Sequence, residues 1–162
     1  DISSLSTAST FLTMILMFIG GGSLSTAGGI KIGTFIILIL SVITFLRRQD
    51  ELVIFNHSVS HEQVFKALAV TAITSMFIML GIFILLALEP KHRFIDIIFE
   101  VISAACTVGL SRGITGQLHP VSLIVLMFLM YAGRLGPLTL VYLIATPKKT
   151  RLKHPSSEIQ IG

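Results

Sequence analysis

The sequence predicts an all-α integral membrane protein in which a broken transmembrane helix precedes two spans that flank a short re-entrant helix. Three observations predict it. Apolar residues make up 53% of the 162, and the mean hydropathy is +0.91, whereas soluble domains are about 45–50% apolar. Three stretches, at about 10–46, 64–88 and 120–146, are each long enough to cross a hydrocarbon core of about 30 Å, which takes roughly 20 apolar residues. The polar stretches left over are too short to hold a separate soluble domain.

The first stretch is too long for one span. As a single helix over 10–46 it would measure about 54 Å at 1.5 Å per residue, so it must tilt, break or both. Its middle reads Gly20-Gly21-Gly22-Ser23-Leu24-Ser25-Thr26-Ala27-Gly28-Gly29-Ile30-Lys31. Glycine costs a helix about 1 kcal/mol relative to Ala, so a helix at about 8–19, an irregular loop at 20–31 and a helix at about 32–46 are expected. Nonhelical backbone at membrane depth survives only where protein buries it or where it lines a wet cavity. The loop is therefore a functional candidate. The competing reading is a small-residue packing stretch between helices.

Residues 49–63 form a connection. Ser60, with Gln63 three residues on, reads as a capping box that opens the second span, and Glu89-Pro90 reads as its stop. The apolar run at 94–106 is too short to span and carries Asp96 and Glu100, as expected of a re-entrant or core helix. These two carboxylates lie four apart on one face, where they could concentrate cations at an outer mouth or simply serve packing. A final span follows at 120–146.

Charge placement orients these elements. Arg47, Arg48 and Lys66 flank the first connection, and Lys148, Lys149, Arg151 and Lys153 follow the last span; Lys91, Arg93 and Arg112 lie on the other side. Seven basic residues against three put the connection and the tail at 147–162 in the cytoplasm by the positive-inside rule. A basic tail that abuts a span anchors to lipid headgroups. The lipid bilayer, and no nucleic acid, is thus the expected partner.

Residues 1–7 show neither an initiator Met nor the features of a signal peptide, so the chain reads as the carboxy-terminal part of something longer. A single cysteine, Cys106, excludes an intrachain disulfide. His57 and His61 form the one histidine pair at helical spacing and lack a third ligand, so no resident metal is expected. No hydrolytic or redox constellation is present, and an enzyme is not expected.

The re-entrant helix runs into Thr107-Val108-Gly109-Leu110-Ser111. A potassium filter replaces the ion's hydration shell with backbone carbonyls, which calls for an extended strand, and Gly109 supplies backbone freedom there. Arg134 sits inside the last span, where a cation costs roughly 2.5–3.5 kcal/mol on insertion scales and usually faces a bundle interior or wet cavity. The alternative for Arg134 is a structural pair with a carboxylate such as Glu100.

These segments resemble the Ktr/Trk/HKT superfamily of potassium transporters. Residues 107–111 resemble its fourth pore-loop filter, residues 20–31 its intramembrane gating loop, and Tyr131-Ala132-Gly133-Arg134-Leu135-Gly136 its Arg-bearing last helix. The resemblance implies the membrane subunit of a bacterial Ktr-type system, built of four M1–pore–M2 repeats. Residues 1–48 would be the broken helix of the third repeat, and 64–146 the fourth repeat. It implies K⁺ as the transported ion, with carbonyl ligands from Thr107, Val108, Gly109, Leu110 and Ser111. A gate would be made by Gly20, Gly21, Gly22, Ser23, Ser25, Thr26, Gly28, Gly29 and Lys31 together with Arg134. No bound cofactor is implied, and Na⁺ stands open as an activator. The implied partners are a second membrane subunit, forming a homodimer, and a cytosolic ring of nucleotide-binding regulatory subunits. The competing functions are a two-span subunit that closes a pore as a homotetramer, and a nonconducting membrane anchor that binds a cytosolic partner.

Overall fold

The computed structural model describes residues 2–22, 25, 27–48, 52–54, 57–136 and 139. Among the described residues, five α-helices carry the fold: α1 Thr7–Ile19, α2 Ile32–Leu46, α3 His61–Leu88, α4 Phe94–Ala105 and α5 Pro120–Leu135. Among the described residues, α3 alone is long and apolar enough to cross a membrane by itself; α1, α2 and α5 are shorter apolar helices. The connection carries a hairpin that the sequence reading did not anticipate. Its strands, β1 Leu52–Ile54 and β2 His57–Val59, pair antiparallel with Leu52 opposite Val59 and Ile54 opposite His57.

Local chemistry sets the helix bounds. The Ser60 hydroxyl accepts the Gln63 N–H at 3.4 Å at the start of α3, as the capping motif requires. Pro120 opens α5 behind His119, whose ring accepts the Val121 N–H. Helix α5 ends at Leu135, where Gly136 takes a left-handed φ of 85°. The remainder of the span expected to 146 lies outside the described residues apart from Thr139, and so does the tail at 147–162.

Helix α4 is the hub: it packs against α5, α3 and α1, while α3 also meets α5 and α2. Its two sides bury different neighbours. Ile97 and Val101 join Ile78 and Leu85 of α3 and Leu126 and Leu129 of α5, whereas Phe99 packs with Met14 and Met17 of α1. Burying such a side chain contributes about 1.5–3 kcal/mol relative to exposure in water. The outer faces of α3 and α5 display Phe65, Met76, Met79, Phe83, Ile124 and Phe128. That much apolar surface would be a liability in water and is the ordinary exterior of a helix in lipid.

Candidate functional site: the α1–α2 loop against residues 107–111

The break between α1 and α2 is a closed loop. Ile30 N–H donates to Phe18 C=O and Ile32 N–H to Gly21 C=O, each at 3.1 Å. These bonds draw the ends together, so the chain leaves α1, turns out and returns almost where it left. Lys31 secures the loop from inside: its Nζ donates to Ser25 C=O at 2.8 Å and to Ala27 C=O. Of the expected gate residues, Gly28 is buried, Gly20, Gly21, Gly29 and Lys31 are half-buried, and Gly22 and Ser25 are exposed. Ser23 and Thr26 lie outside the described residues.

Helix α4 ends in a Schellman arrangement. Val108 N–H reaches back to Ser103 C=O and Thr107 N–H to Ala104 C=O, both at 3.0 Å, the paired bonds that close a helix through a left-handed residue. That residue is Thr107, with φ 52°. A β-branched residue is a genuine outlier in this region, where glycine is the usual occupant. The extended strand expected over 107–111 is therefore corrected at its first residue, because the helix cap claims Thr107. Gly109 follows with φ 81°, and a Cβ built there would meet no heavy atom within 4 Å.

The loop and residues 107–111 touch. Gly28 N–H donates to Thr107 Oγ1 at 2.9 Å, and a Cβ at Gly28 would fall 2.6 Å from the Cys106 carbonyl oxygen. From the opposite side Gly133 of α5 lies so close to the Ala105 carbonyl that a Cβ would overlap it. Both glycines are required by space. A cavity of about 450 Å³ opens beside this contact, lined by Leu16, Met17, Gly20, Ala27, Thr107 and Val108 among others. Val108 is exposed, and Leu110 and Ser111 are half-buried.

Arg134, on the last turn of α5, is exposed on this chain and is not without a partner. One expectation changes. Asp96 and Glu100 are buried and already engaged, which removes them from an exposed outer mouth. Asp96 pairs with Arg112 at 2.7 Å. Glu100 accepts from Ser111, from the Arg112 N–H and from Thr115, so its carboxylate serves the loop that follows α4.

Sequence reading missed Arg112, Thr10 and Glu89 as site-building residues. The i,i+4 carboxylate pair on a short helix, with an arginine directly after the filter stretch, was the available signal for Arg112. Glu89, read only as a stop, accepts His119 N–H at 2.6 Å and Ser122 Oγ–H at 2.7 Å. It thereby ties the end of α3 to the start of α5. These two hydrogen bonds, the Ser122 one foremost, hold its carboxyl below the ordinary value of 4.5.

Comparison with known proteins gives the family. The family model described as "TrkH: Cation transport protein" matches residues 1–153. The chain belongs to the TrkH family of cation transport proteins. TrkH proteins are membrane transporters and not enzymes, which agrees with the all-α membrane architecture. Over its whole length the chain is 42% identical to a Ktr system potassium uptake protein B of Bacillus subtilis and 36% identical to one of Vibrio alginolyticus, covering 36% and 35% of those proteins. It is 35% identical to the potassium/sodium uptake protein NtpJ of Enterococcus hirae, of which it covers 37%. The chain thus spans about a third of the length of these curated relatives.

Proposed function

We propose that this TrkH-family chain takes part in potassium uptake across the cell membrane as a portion of the pore-forming subunit of a Ktr-type transporter. Residues 107–111 contribute backbone carbonyls to the K⁺ filter, and residues 20–31 with Arg134 form the gate beneath it. The observation that carries this reading is the hydrogen bond from Gly28 N–H to Thr107 Oγ1. It joins the irregular loop between α1 and α2 to the first residue of the filter stretch, with glycine backbone pressed on the Cys106 carbonyl. A loop that served only helix packing has no need to engage that residue. The names of the relatives support potassium as the ion.

The subunit is multi-pass with its carboxy terminus in the cytoplasm, pairs as a homodimer, and takes its regulation from a cytosolic ring of nucleotide-binding subunits. The designation "Ktr system" of its relatives supports a multi-component assembly. Na⁺ is a candidate activator, given the potassium/sodium designation of one relative.

The test is to shorten the loop within 20–29 in the full-length subunit and measure K⁺ flux without the cytosolic regulator. A gate predicts a severalfold rise in basal flux. Loss of folding or flux with no gain in basal transport would return the loop to a packing role.

A further inference from the structure

The filter stretch is held at both ends and free in the middle. At its start Thr107 is bonded to Gly28; at its centre Gly109 has open space where a side chain would point. At its far end a buried polar network takes over. Glu100 Oε1 accepts from Ser111 Oγ and from Arg112 N–H, the latter at 3.1 Å, and Oε2 accepts Thr115 Oγ1–H at 2.9 Å. The Arg112 guanidinium donates through Nε to Asp96 Oδ1 at 2.7 Å and through Nη1 to Thr10 Oγ1 at 2.6 Å. Its terminal nitrogens also reach Ile2 C=O at 3.5 Å and Ser3 C=O at 3.4 Å. Thr10, itself fully buried, donates its hydroxyl hydrogen bond to Ser6 C=O at 2.9 Å. Among the described residues no buried side-chain polar atom lacks a partner.

We propose that Glu100 and Arg112 are positioning residues for ion discrimination: neither touches the ion, and together they clamp the outer end of the filter to α4 and to the start of α1. The proposal rests on residues 107–111 being a K⁺ filter. Filters distinguish K⁺ from Na⁺ by the size of the carbonyl cage or by the number and field of its dipoles, and both depend on how far the backbone can move. Buried charges are costly unless paired and hydrogen-bonded, and a guanidinium presents its donors in a fixed planar fork. The network therefore has one low-energy arrangement and holds Ser111 and Arg112 in register. Freed at that end, a strand with nothing packed over Gly109 can close around the smaller ion.

The experiment uses the full-length subunit with its regulator. K⁺ uptake is measured in competition with Na⁺ at matched membrane expression for Glu100→Gln, Arg112→Ala and Arg112→Lys, with Gly109→Ser as the filter reference. Glu100→Gln and Arg112→Ala should lower the K⁺-over-Na⁺ preference about tenfold. Arg112→Lys, which keeps the charge for Asp96 and loses the fork, should fall between Arg112→Ala and the parent. A merely structural role would lower expression and leave the preference of the surviving protein alone. An altered preference in Gly109→Ser with none in the three network variants overturns the clamp and leaves the filter standing; no change in any of the four overturns the filter itself. Should Arg112→Ala fail to reach the membrane, Arg112→Lys and Glu100→Asp carry the test, and an unchanged preference in both overturns the proposal.

Discussion

Gly109 and Arg134 illustrate how a single residue's geometry turns into a measurable flux. A left-handed backbone costs an L-residue roughly 1–2 kcal/mol, and a Cβ at Gly109 would meet no neighbour. Gly109→Ser should therefore fold and insert, yet weaken apparent K⁺ affinity by about 5- to 30-fold if the strain falls on the ion-bound state, at about tenfold per 1.4 kcal/mol. Flux titrations at low external K⁺ read this directly, and unchanged affinity would remove Gly109 from the filter. Arg134 directly follows Gly133, whose contact with the Ala105 carbonyl sets the depth of α5 against the end of α4. A positive charge at that level raises the barrier to a permeating cation. Arg134→Ala should raise maximal K⁺ flux severalfold, Arg134→Lys should lie between it and the parent, and affinity should hardly move. Equal flux in all three proteins would take Arg134 out of the gate.

At the scale of elements, α3 and α5 are joined by Glu89, and that joint is expected to weaken in acid. Its carboxyl is held below 4.5 by the Ser122 hydroxyl and the His119 N–H, so folding favours the charged form. The contribution is present above the unfolded value and is lost as pH falls through the lower native one. Thermal unfolding in detergent should show the parent losing stability below about pH 4.5. Glu89→Gln should be less stable at neutral pH, by about 1–3 kcal/mol for a weakened buried acceptor, and flatter across the acid range. Parallel acid profiles for the two proteins would mean that Glu89 does not link α3 to α5. Helix bounds were legible because Gly, Pro, Ser60 and the apolar runs act locally: the break at 20–31 and the starts of α2 and α5 follow from residue types alone. The hairpin at 52–59 was not, since a pairing three residues long leaves almost no periodic trace.

For the molecule as a whole, the expectation is that this chain conducts nothing alone. On the filter reading its described residues supply one filter stretch; the chain spans about a third of the length of its curated relatives, and a cage of carbonyls needs a ring of them. Expression in a strain deficient in potassium uptake should leave growth at low K⁺ unrescued, whereas a full-length subunit carrying this sequence should restore it. Rescue by the chain alone would favour a homotetrameric pore. What sequence could not reveal were the long-range partnerships. In the sequence Arg112 is one charge among several, yet its guanidinium meets Thr10 across 102 positions of sequence. The sequence suggests an extended Thr107, and its left-handed place at the end of α4 emerges only when helix and the following stretch share one backbone. Packing between distant segments, here through glycines 28 and 133, leaves no spacing to count.

The Thr107 contact also works in reverse. Any influence that loop position exerts on the affinity of the filter for its ion must be returned in equal measure, because linkage between two equilibria is reciprocal. An ion resting at the first filter carbonyls would steady Thr107 in its left-handed conformation and, through the 2.9 Å hydrogen bond, bias where Gly28 comes to rest. On the filter reading, potassium is then itself an effector of the gate: the transported species reports its own abundance to the barrier that admits it, alongside any cytosolic regulator.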